Sequence, residues 1–278
     1  MKGWSHQNPE AAAPGEIVGI YPFTLTREES ELIANQLLAA NQDFPISHYM
    51  KKKYFLQLLD SSAFSTKRLD LYDDDPLEGL YPGANRQGLA PADAQWMQQA
   101  NAKRDIEAFL QSQAIHRTHC YAHCWFGILE ENGEMWERYG DACEGVCLVS
   151  STRRLLGSVV AEASVAHELG KVTYWPDNKP LPELHSSTVM FRKQPKFSAE
   201  NEVRLLSQIK MDYLPTDSDG FLSPCPERLA VRVNLDVLVA AIILGPSMNE
   251  ESRLRVIDAA RFKIPRAEIF CSRFDVRP

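Results

Sequence analysis

The sequence has no long apolar run. None of its 278 residues lies in a stretch approaching the about 20 consecutive apolar residues that a helix needs to cross a bilayer. The first residues contain no apolar signal core, and six scattered cysteines are too few for a disulfide scaffold. We therefore expect a reduced, cytoplasmic protein without a membrane partner, although an effector exported without a cleaved signal would have the same composition.

The sequence also has no large excess of positive charge. The net charge is -7, with 30 basic and 37 acidic residues, so binding of nucleic acid through overall charge is not expected. A local basic patch at residues 51–53 is the exception. Phosphate-binding loops rich in glycine and the Gly-x-Ser-x-Gly motif of serine hydrolases are absent too.

A cluster of histidines and cysteines invites a zinc interpretation, but its spacing is poor. On a strand, His119 and His123 would face one side, whereas Cys120 and Cys124 would face the other. Cys147 lies in an apolar run typical of a buried free thiol. The pairs Cys120/Cys124 and Cys143/Cys147 only nominally match the close ligand pairs of structural zinc sites, so we expect no metal.

The composition, with 44% apolar and 24% charged residues, is that of a soluble globular protein. No repeat, low-complexity tract or linker divides the chain. We predict a loose arm at 1–15 and one α+β domain at 16–278, in which helices flank a mixed, mostly antiparallel sheet. The predicted helices lie at about 26–42, 52–59, 92–113, 134–139, 152–163, 187–193 and 249–261. The predicted strands lie at about 46–50, 63–65, 118–126, 145–150, 171–175, 203–209, 230–234, 241–244 and 269–271.

Residues 191–206 concentrate chemistry in a short segment. Glu200 and Glu202 precede an apolar run that predicts a buried strand, with Lys193 upstream and Arg204 inside the run. If both glutamates belong to the strand, its two-residue period points both carboxylates the same way. Two close carboxylates have pKa values pushed apart, which suits acid–base or charge-stabilising chemistry. A solvated edge strand would show the same alternation of charges.

Several separated motifs occur in order along the chain. They are Asp-Pro-Leu-Glu-Gly at 75–79, Cys124-Trp125, Met135-Trp136-x-x-Tyr139, Gly-Val-Cys-Leu at 145–148, Lys193, Phe197, Glu200-x-Glu202-x-Arg204, and Ile-Leu-Gly-Pro at 243–246. Together they resemble a widespread bacterial family of domains of unknown function over about residues 45–275. Phe126 departs from the family's usual serine, and the N-terminal helix is not covered.

His48-Tyr49 lies early in the chain, a helix at 53–59 and a short strand at 63–65 follow, and Glu200-x-Glu202 comes late. This order of elements is similar, more distantly, to that of ADP-ribosyltransferases. This resemblance implies an NAD-consuming transferase or glycohydrolase, as in a toxin or a phage-defence component, with NAD as substrate and a protein or nucleic acid as acceptor. It implies catalytic roles for Glu202, Glu200 and His48, the last as a donor to the ribose hydroxyls. The implied binding residues are one of Tyr49, Phe64, Trp136 or Tyr139 for nicotinamide, and Arg204 or Lys193 for the pyrophosphate.

Two other functions fit the same residues. The carboxylates of Asp73, Asp75, Glu78, Glu200 and Glu202 would suit a magnesium-dependent nuclease or phosphodiesterase. Alternatively, the aromatic and acidic motifs would form the pocket of a non-enzymatic module that senses a ligand or binds a partner.

Overall fold

A computed structural model describes residues 43–86, 113–127, 130–179, 181, 189–216, 218, 223 and 225–274. The predicted arm at 1–15, the helix at 26–42 and nearly all of the helix at 92–113 lie outside these residues. The described chain has helices and a mixed, mostly antiparallel sheet, which confirms the predicted α+β class.

Eleven strands are present in the described residues. They are β1 (Pro45–Met50), β2 (Ala63–Arg68), β3 (Cys120–Phe126), β4 (Val146–Ser151), β5 (Val165–Lys171), β6 (Thr173–Tyr174), β7 (Arg192–Lys193), β8 (Glu202–Ile209), β9 (Arg228–Arg232), β10 (Ala241–Leu244) and β11 (Glu268–Cys271). The α-helices with described bounds are α1 (Lys52–Ser61), α2 (Gly83–Arg86), α3 (Gly133–Tyr139), α4 (Thr152–Ser158), α5 (Leu235–Leu238) and α6 (Glu250–Lys263).

The main sheet divides at β3. One edge of β3 pairs along its whole length with β8, and β8 in turn pairs with β5. The other edge is shared, because β1 pairs with it at Phe126 and β2 pairs with it at Tyr121 and Ala122. The strands β1 and β2 therefore diverge and leave an opening in the sheet beside residues 123–125.

Apolar side chains cover both faces of the sheet. The helix α1 buries Phe55, Leu58 and Leu59, whose spacing forms one apolar stripe, and it packs on the same core as Trp125 of β3. Full burial of each such side chain contributes about 1.5–3 kcal/mol relative to exposure. A second cluster around Phe191 covers the opposite side, so β3 lies between two apolar layers.

Two predicted helices differ in the structure. The helix predicted at 152–163 ends at Ser158, because Val159 forms a bridge with Val233, and the unpredicted strand β5 follows. The helix predicted at 187–193 is replaced at its end by β7, which pairs with β6 in a parallel two-residue ladder. In both segments tertiary pairing overrides the local helical pattern.

Candidate functional site

A cavity of about 820 Å³ lies at the opening between β1 and β2. Its size is in the range of pockets that bind small molecules, roughly 300–1,000 Å³. Directly paired residues share a face of a sheet, and Phe126 pairs with both Ser47 and Glu202. Glu202 is therefore on the face of Phe126, whereas His48 is on the other face. Both line the cavity, so it reaches through the sheet.

The imidazole of His48 caps the free edge of β3. Its Nδ1 lies 2.8 Å from the carbonyl oxygen of Cys124. Because a carbonyl only accepts, Nδ1 carries the proton and the lone pair of the neutral ring is on Nε2. Burial lowers the pKa of His48 to about 4, so the ring is neutral at pH 7. Further along the same edge, the carbonyl of Ala122, a residue that pairs with Lys67 of β2, accepts a hydrogen bond of 3.2 Å from the hydroxyl of Tyr72.

Three rings, those of Phe64, His123 and Trp125, form the wall of the cavity beside His48. The ring centroid of His123 is 3.8 Å from that of Phe64 and 4.5 Å from that of His48. The ring of Trp125 is 5.7 Å from His123 and 5.3 Å from His48. Burial lowers the pKa of His123 well below its usual range, and repulsion between protonated His48 and protonated His123 lowers it further. This wall is therefore aromatic and uncharged at neutral pH.

The two glutamates of the Glu-x-Glu motif meet in the cavity, but not through strand alternation. Glu200 ends a 3₁₀ helix (Pro195–Glu200), Asn201 has the left-handed φ of 36°, and only Glu202 belongs to β8. Asparagine tolerates this backbone conformation better than most residues. Gly127 fixes the turn, since its N–H donates to the Asn201 carbonyl at 2.8 Å and a Cβ on Gly127 would lie 2.8 Å from that same oxygen.

Lys193 joins the two carboxylates. Its Nζ lies 2.7 Å from Oε2 of Glu200 and 2.8 Å from Oε2 of Glu202. The β6–β7 ladder holds Lys193 in place by pairing it with Tyr174, whose hydroxyl accepts a 2.8 Å hydrogen bond from the backbone N–H of Glu202. The same short ladder therefore positions both the cation and one of its carboxylates.

Arg204 lies behind Glu202 and is fully buried. Its Nε donates to Oε1 of Glu202 at 2.8 Å, and its other nitrogens contact Glu78 and the carbonyl of Met190. Although burial opposes it, the charges of Arg204 and Lys193 lower the pKa of Glu202 to about 2. Burial raises the pKa of Glu78. Glu202 is thus an ionised carboxylate in a nearly dry environment.

Tyr139 closes the cavity from helix α3. Its hydroxyl donates a hydrogen bond of 2.9 Å to Oε1 of Glu200, and Arg138 lies 3.7 Å from the same oxygen. The side chain of Asn132 caps this helix by accepting from the N–H groups of Glu134 and Met135. The cap fixes where the helix starts and therefore where Tyr139 meets the carboxylate.

Most of the residues singled out in the sequence come together. The cavity is lined by His48, Tyr49, Phe64, Tyr139, Lys193, Glu200 and Glu202. Two others do not line it. Trp136 is buried behind Tyr49, with the ring centroids 4.9 Å apart, and Arg204 is buried behind Glu202. Both residues thus lie behind side chains that line the cavity.

Several cavity residues were not among the catalytic and binding residues expected for NAD chemistry. Tyr72, His123, Trp125 and Arg138 had no assigned role in the site, Asp75 and Glu78 were considered only as magnesium ligands, and Phe197 was named only within a motif. Glu78 had a sequence signal, because it closes the acidic turn at 75–79. His123 and Trp125 also had one, because they alternate on a strand that ends in the Cys124-Trp125 motif. Neither signal says that β3 borders an opening, which depends on where β1 and β2 diverge.

Comparison with known proteins finds no match, whether to a family model, to a curated protein or to a solved structure. Within the described residues, no helix is long and apolar enough to span a membrane. The same part of the chain holds no group of three or more His, Cys, Asp or Glu side chains arranged to hold a metal ion. Asp73, one of the carboxylates considered for magnesium, does not line the cavity and has a side chain 95% exposed.

Proposed function

We propose that this protein cleaves the bond between nicotinamide and ribose in NAD, either transferring ADP-ribose to an acceptor or releasing it to water. One observation carries the proposal. The ionised carboxylate of Glu202 shares one cavity with a second carboxylate, Glu200, with the neutral imidazole of His48 and with an aromatic wall. These are the groups that such a cleavage requires.

The chemistry assigns a role to each carboxylate. When the glycosidic C–N bond breaks, its electron pair leaves with the nicotinamide nitrogen and positive charge develops on the ribose. A fixed, desolvated carboxylate stabilises that charge, and Glu202 is held in place by Lys193 and Arg204. The attacking hydroxyl of water or of the acceptor loses a proton as it bonds to the ribose carbon, and Glu200 is the neighbouring carboxylate for this proton.

Two of the roles differ in this proposal from those expected from the sequence. Nδ1 of His48 already donates to Cys124, so His48 would accept a hydrogen bond from a ribose hydroxyl at Nε2 instead of donating one. Lys193 already binds two carboxylates, so it is poorly placed to meet the pyrophosphate. Lys67 and Arg228, which also line the cavity, would take that role on its exposed side.

The test is release of nicotinamide from NAD, measured by chromatography, together with transfer of labelled ADP-ribose to proteins and nucleic acids of a cell extract. Wild-type protein should yield one of these products, and Glu202→Gln should lower the rate at least 100-fold, as expected for loss of one preorganised electrostatic contact. Glu268→Gln, an exposed glutamate on β11, is the matched control and should keep full activity.

Circular dichroism would show whether Glu202→Gln is folded, since its loss of charge leaves Arg204 and Lys193 less compensated. If that variant unfolds, Glu200→Gln replaces it in the same assay. Absence of both products with concentrated wild-type protein, or full activity in the folded Glu202→Gln variant, would overturn the proposal.

A ligand-binding module is the second candidate, and the ion pairs favour it. Both Glu200 and Glu202 are neutralised by Lys193 at under 3 Å, as in a network that only shapes a pocket. Calorimetry with NAD separates the two functions. Saturable heat of binding without any nicotinamide release would indicate sensing in place of catalysis.

A further inference from the structure

Two polar atoms on the aromatic wall have no partner. Trp125 is 2% exposed and His123 is 9% exposed, and among the described residues neither Nε1 of Trp125 nor Nδ1 of His123 makes a hydrogen bond. Buried polar atoms are paired in the great majority of native structures, so an unpaired one needs an explanation. Both residues line the cavity, where a bound molecule would supply the missing partners.

The two atoms come from one face of one strand. His123 and Trp125 are two positions apart on β3, so their side chains lie side by side, with ring centroids 5.7 Å apart. The rings of Phe64 and His48 contact the imidazole of His123, at 3.8 Å and 4.5 Å between centroids. Because other rings pack against the imidazole of His123, a ligand would form a hydrogen bond with this side chain at its edge, where Nδ1 lies.

Trp125 and His123 offer a ligand different hydrogen-bonding groups. The indole Nε1–H of Trp125 can only donate. The imidazole of His123 is neutral at pH 7, because burial lowers its pKa well below the usual range, and a neutral ring offers one acceptor nitrogen. In the tautomer that carries its proton on Nε2, Nδ1 of His123 is that acceptor, and this is the tautomer that a ligand N–H would select. A donor and an acceptor on neighbouring rings match the oxygen and the N–H of a primary amide.

We propose that this aromatic recess binds a planar ring that carries a primary carboxamide, with Trp125 donating to the amide oxygen and His123 accepting from the amide N–H. The identity of the ring as nicotinamide rests on the proposed function, whereas the preference for a carboxamide rests on the two unpaired atoms. A carboxylate in the same place has no N–H for His123 and would be desolvated without a facing cation.

Three probes of the same shape test the assignment by calorimetry with the wild-type chain. Nicotinamide satisfies both atoms, 3-acetylpyridine satisfies only Trp125, and nicotinate lacks the donor and adds a charge. We expect nicotinamide to bind at least tenfold more tightly than either of the others, because a site with buried polar groups discriminates against ligands that leave them unpaired.

Two variants locate the discrimination. Trp125→Phe removes the donor and should weaken binding of nicotinamide and 3-acetylpyridine alike, each at least tenfold. His123→Phe removes only the acceptor and should abolish the difference between these two probes. Trp175→Phe and His167→Phe are the matched controls, since they change the same residue types outside the cavity, and both should bind like wild type.

Equal binding of all three probes to wild type, no binding of nicotinamide, or a preference that survives His123→Phe would overturn the inference. If the variants do not fold, the ranking of the probes on wild type decides alone. The assay needs no turnover, so its result is separable from that of the proposed function. A preference for nicotinamide without NAD cleavage would contradict only the proposed enzymatic function. NAD cleavage with no preference among the three probes would contradict only the proposed recognition of a carboxamide.

Discussion

His48 on β1 donates a hydrogen bond of 2.8 Å to the carbonyl oxygen of Cys124 on β3, across the opening where the two strands have separated. In a continuous sheet a backbone N–H would occupy this position. Here a side chain satisfies the strand edge, so the opening remains without leaving a buried carbonyl unpaired. A residue expected from the sequence only as a ligand contact thus also holds the site open.

Replacing this ring tests its structural role. His48→Phe keeps a ring against His123 but leaves the carbonyl of Cys124 without its donor, so we expect a loss of about 1–3 kcal/mol in the free energy of unfolding. Urea denaturation would measure it. Tyr72→Phe removes the longer 3.2 Å bond to Ala122 on the same edge and should cost less. Equal stability of His48→Phe and wild type would mean that the opening needs no cap.

The buried charges around Glu202 should matter more than any ion pair at the surface. Arg204→Met would leave Glu78 and Glu202 buried without their shared cation, and we expect a loss of about 3–5 kcal/mol in the free energy of unfolding. The matched control is Arg232→Met, which removes an exposed pair with Glu162 at 3.1 Å and should cost less than about 1 kcal/mol. Similar losses in the two variants would contradict this ranking.

The sequence predicted the elements better than their connections. The strands that carry His48, Phe64 and Glu202 were predicted at about 46–50, 63–65 and 203–209, and the structure has them at Pro45–Met50, Ala63–Arg68 and Glu202–Ile209. The apolar run after Glu202 gave the last of them its signal. The parallel ladder that holds Lys193 was missed, since two-residue strands have no period to detect. Convergence of Glu200 and Glu202 was anticipated, but through strand alternation, whereas the left-handed turn at Asn201 produces it.

Burial explains why two predicted binding residues do not meet the cavity. Trp136 and Tyr139 are one helical turn apart, and the sequence cannot say which of them faces inward. The structure buries Trp136 completely and leaves Tyr139 39% exposed on the cavity side. Arg204 likewise carries the charge expected of a phosphate contact, but its position in the interior of β8 commits that charge to Glu78 and Glu202.

Tyr139 tests whether the position of Glu200 matters for activity. Tyr139→Phe removes the 2.9 Å hydrogen bond to Glu200 without removing the ring. If the proposed reaction holds, the rate of nicotinamide release should fall about tenfold, in keeping with about 1.4 kcal/mol of lost alignment. The melting temperature should change little, because the side chain is partly exposed.

Tyr213→Phe on an exposed 3₁₀ turn is the control and should match wild type. Unchanged kinetics in Tyr139→Phe would show that Glu200 needs no orientation from Tyr139.

Histidine burial predicts a loss of stability in mild acid. Burial lowers the pKa values of the described histidines, His48, His116, His119, His123 and His167, with those of His48 and His119 reaching about 4. A group with a depressed folded-state pKa binds protons first in the unfolded chain, so stability is complete above the unfolded value of about 6.5 and falls as pH drops toward 4. Glu202 also lowers the stability as the pH falls, but only below about pH 4.5, whereas Glu78 has the opposite effect.

The contribution of His123 is isolated by comparing His123→Phe with wild type, because the contributions of Glu202 and Glu78 are common to both proteins. The free energy of unfolding of wild type should fall more steeply between pH 6 and pH 4, by up to about 1.4 kcal/mol per pH unit, in urea titrations at each pH. Parallel curves for the two proteins would show that His123 is protonated as readily in the folded chain as in the unfolded one.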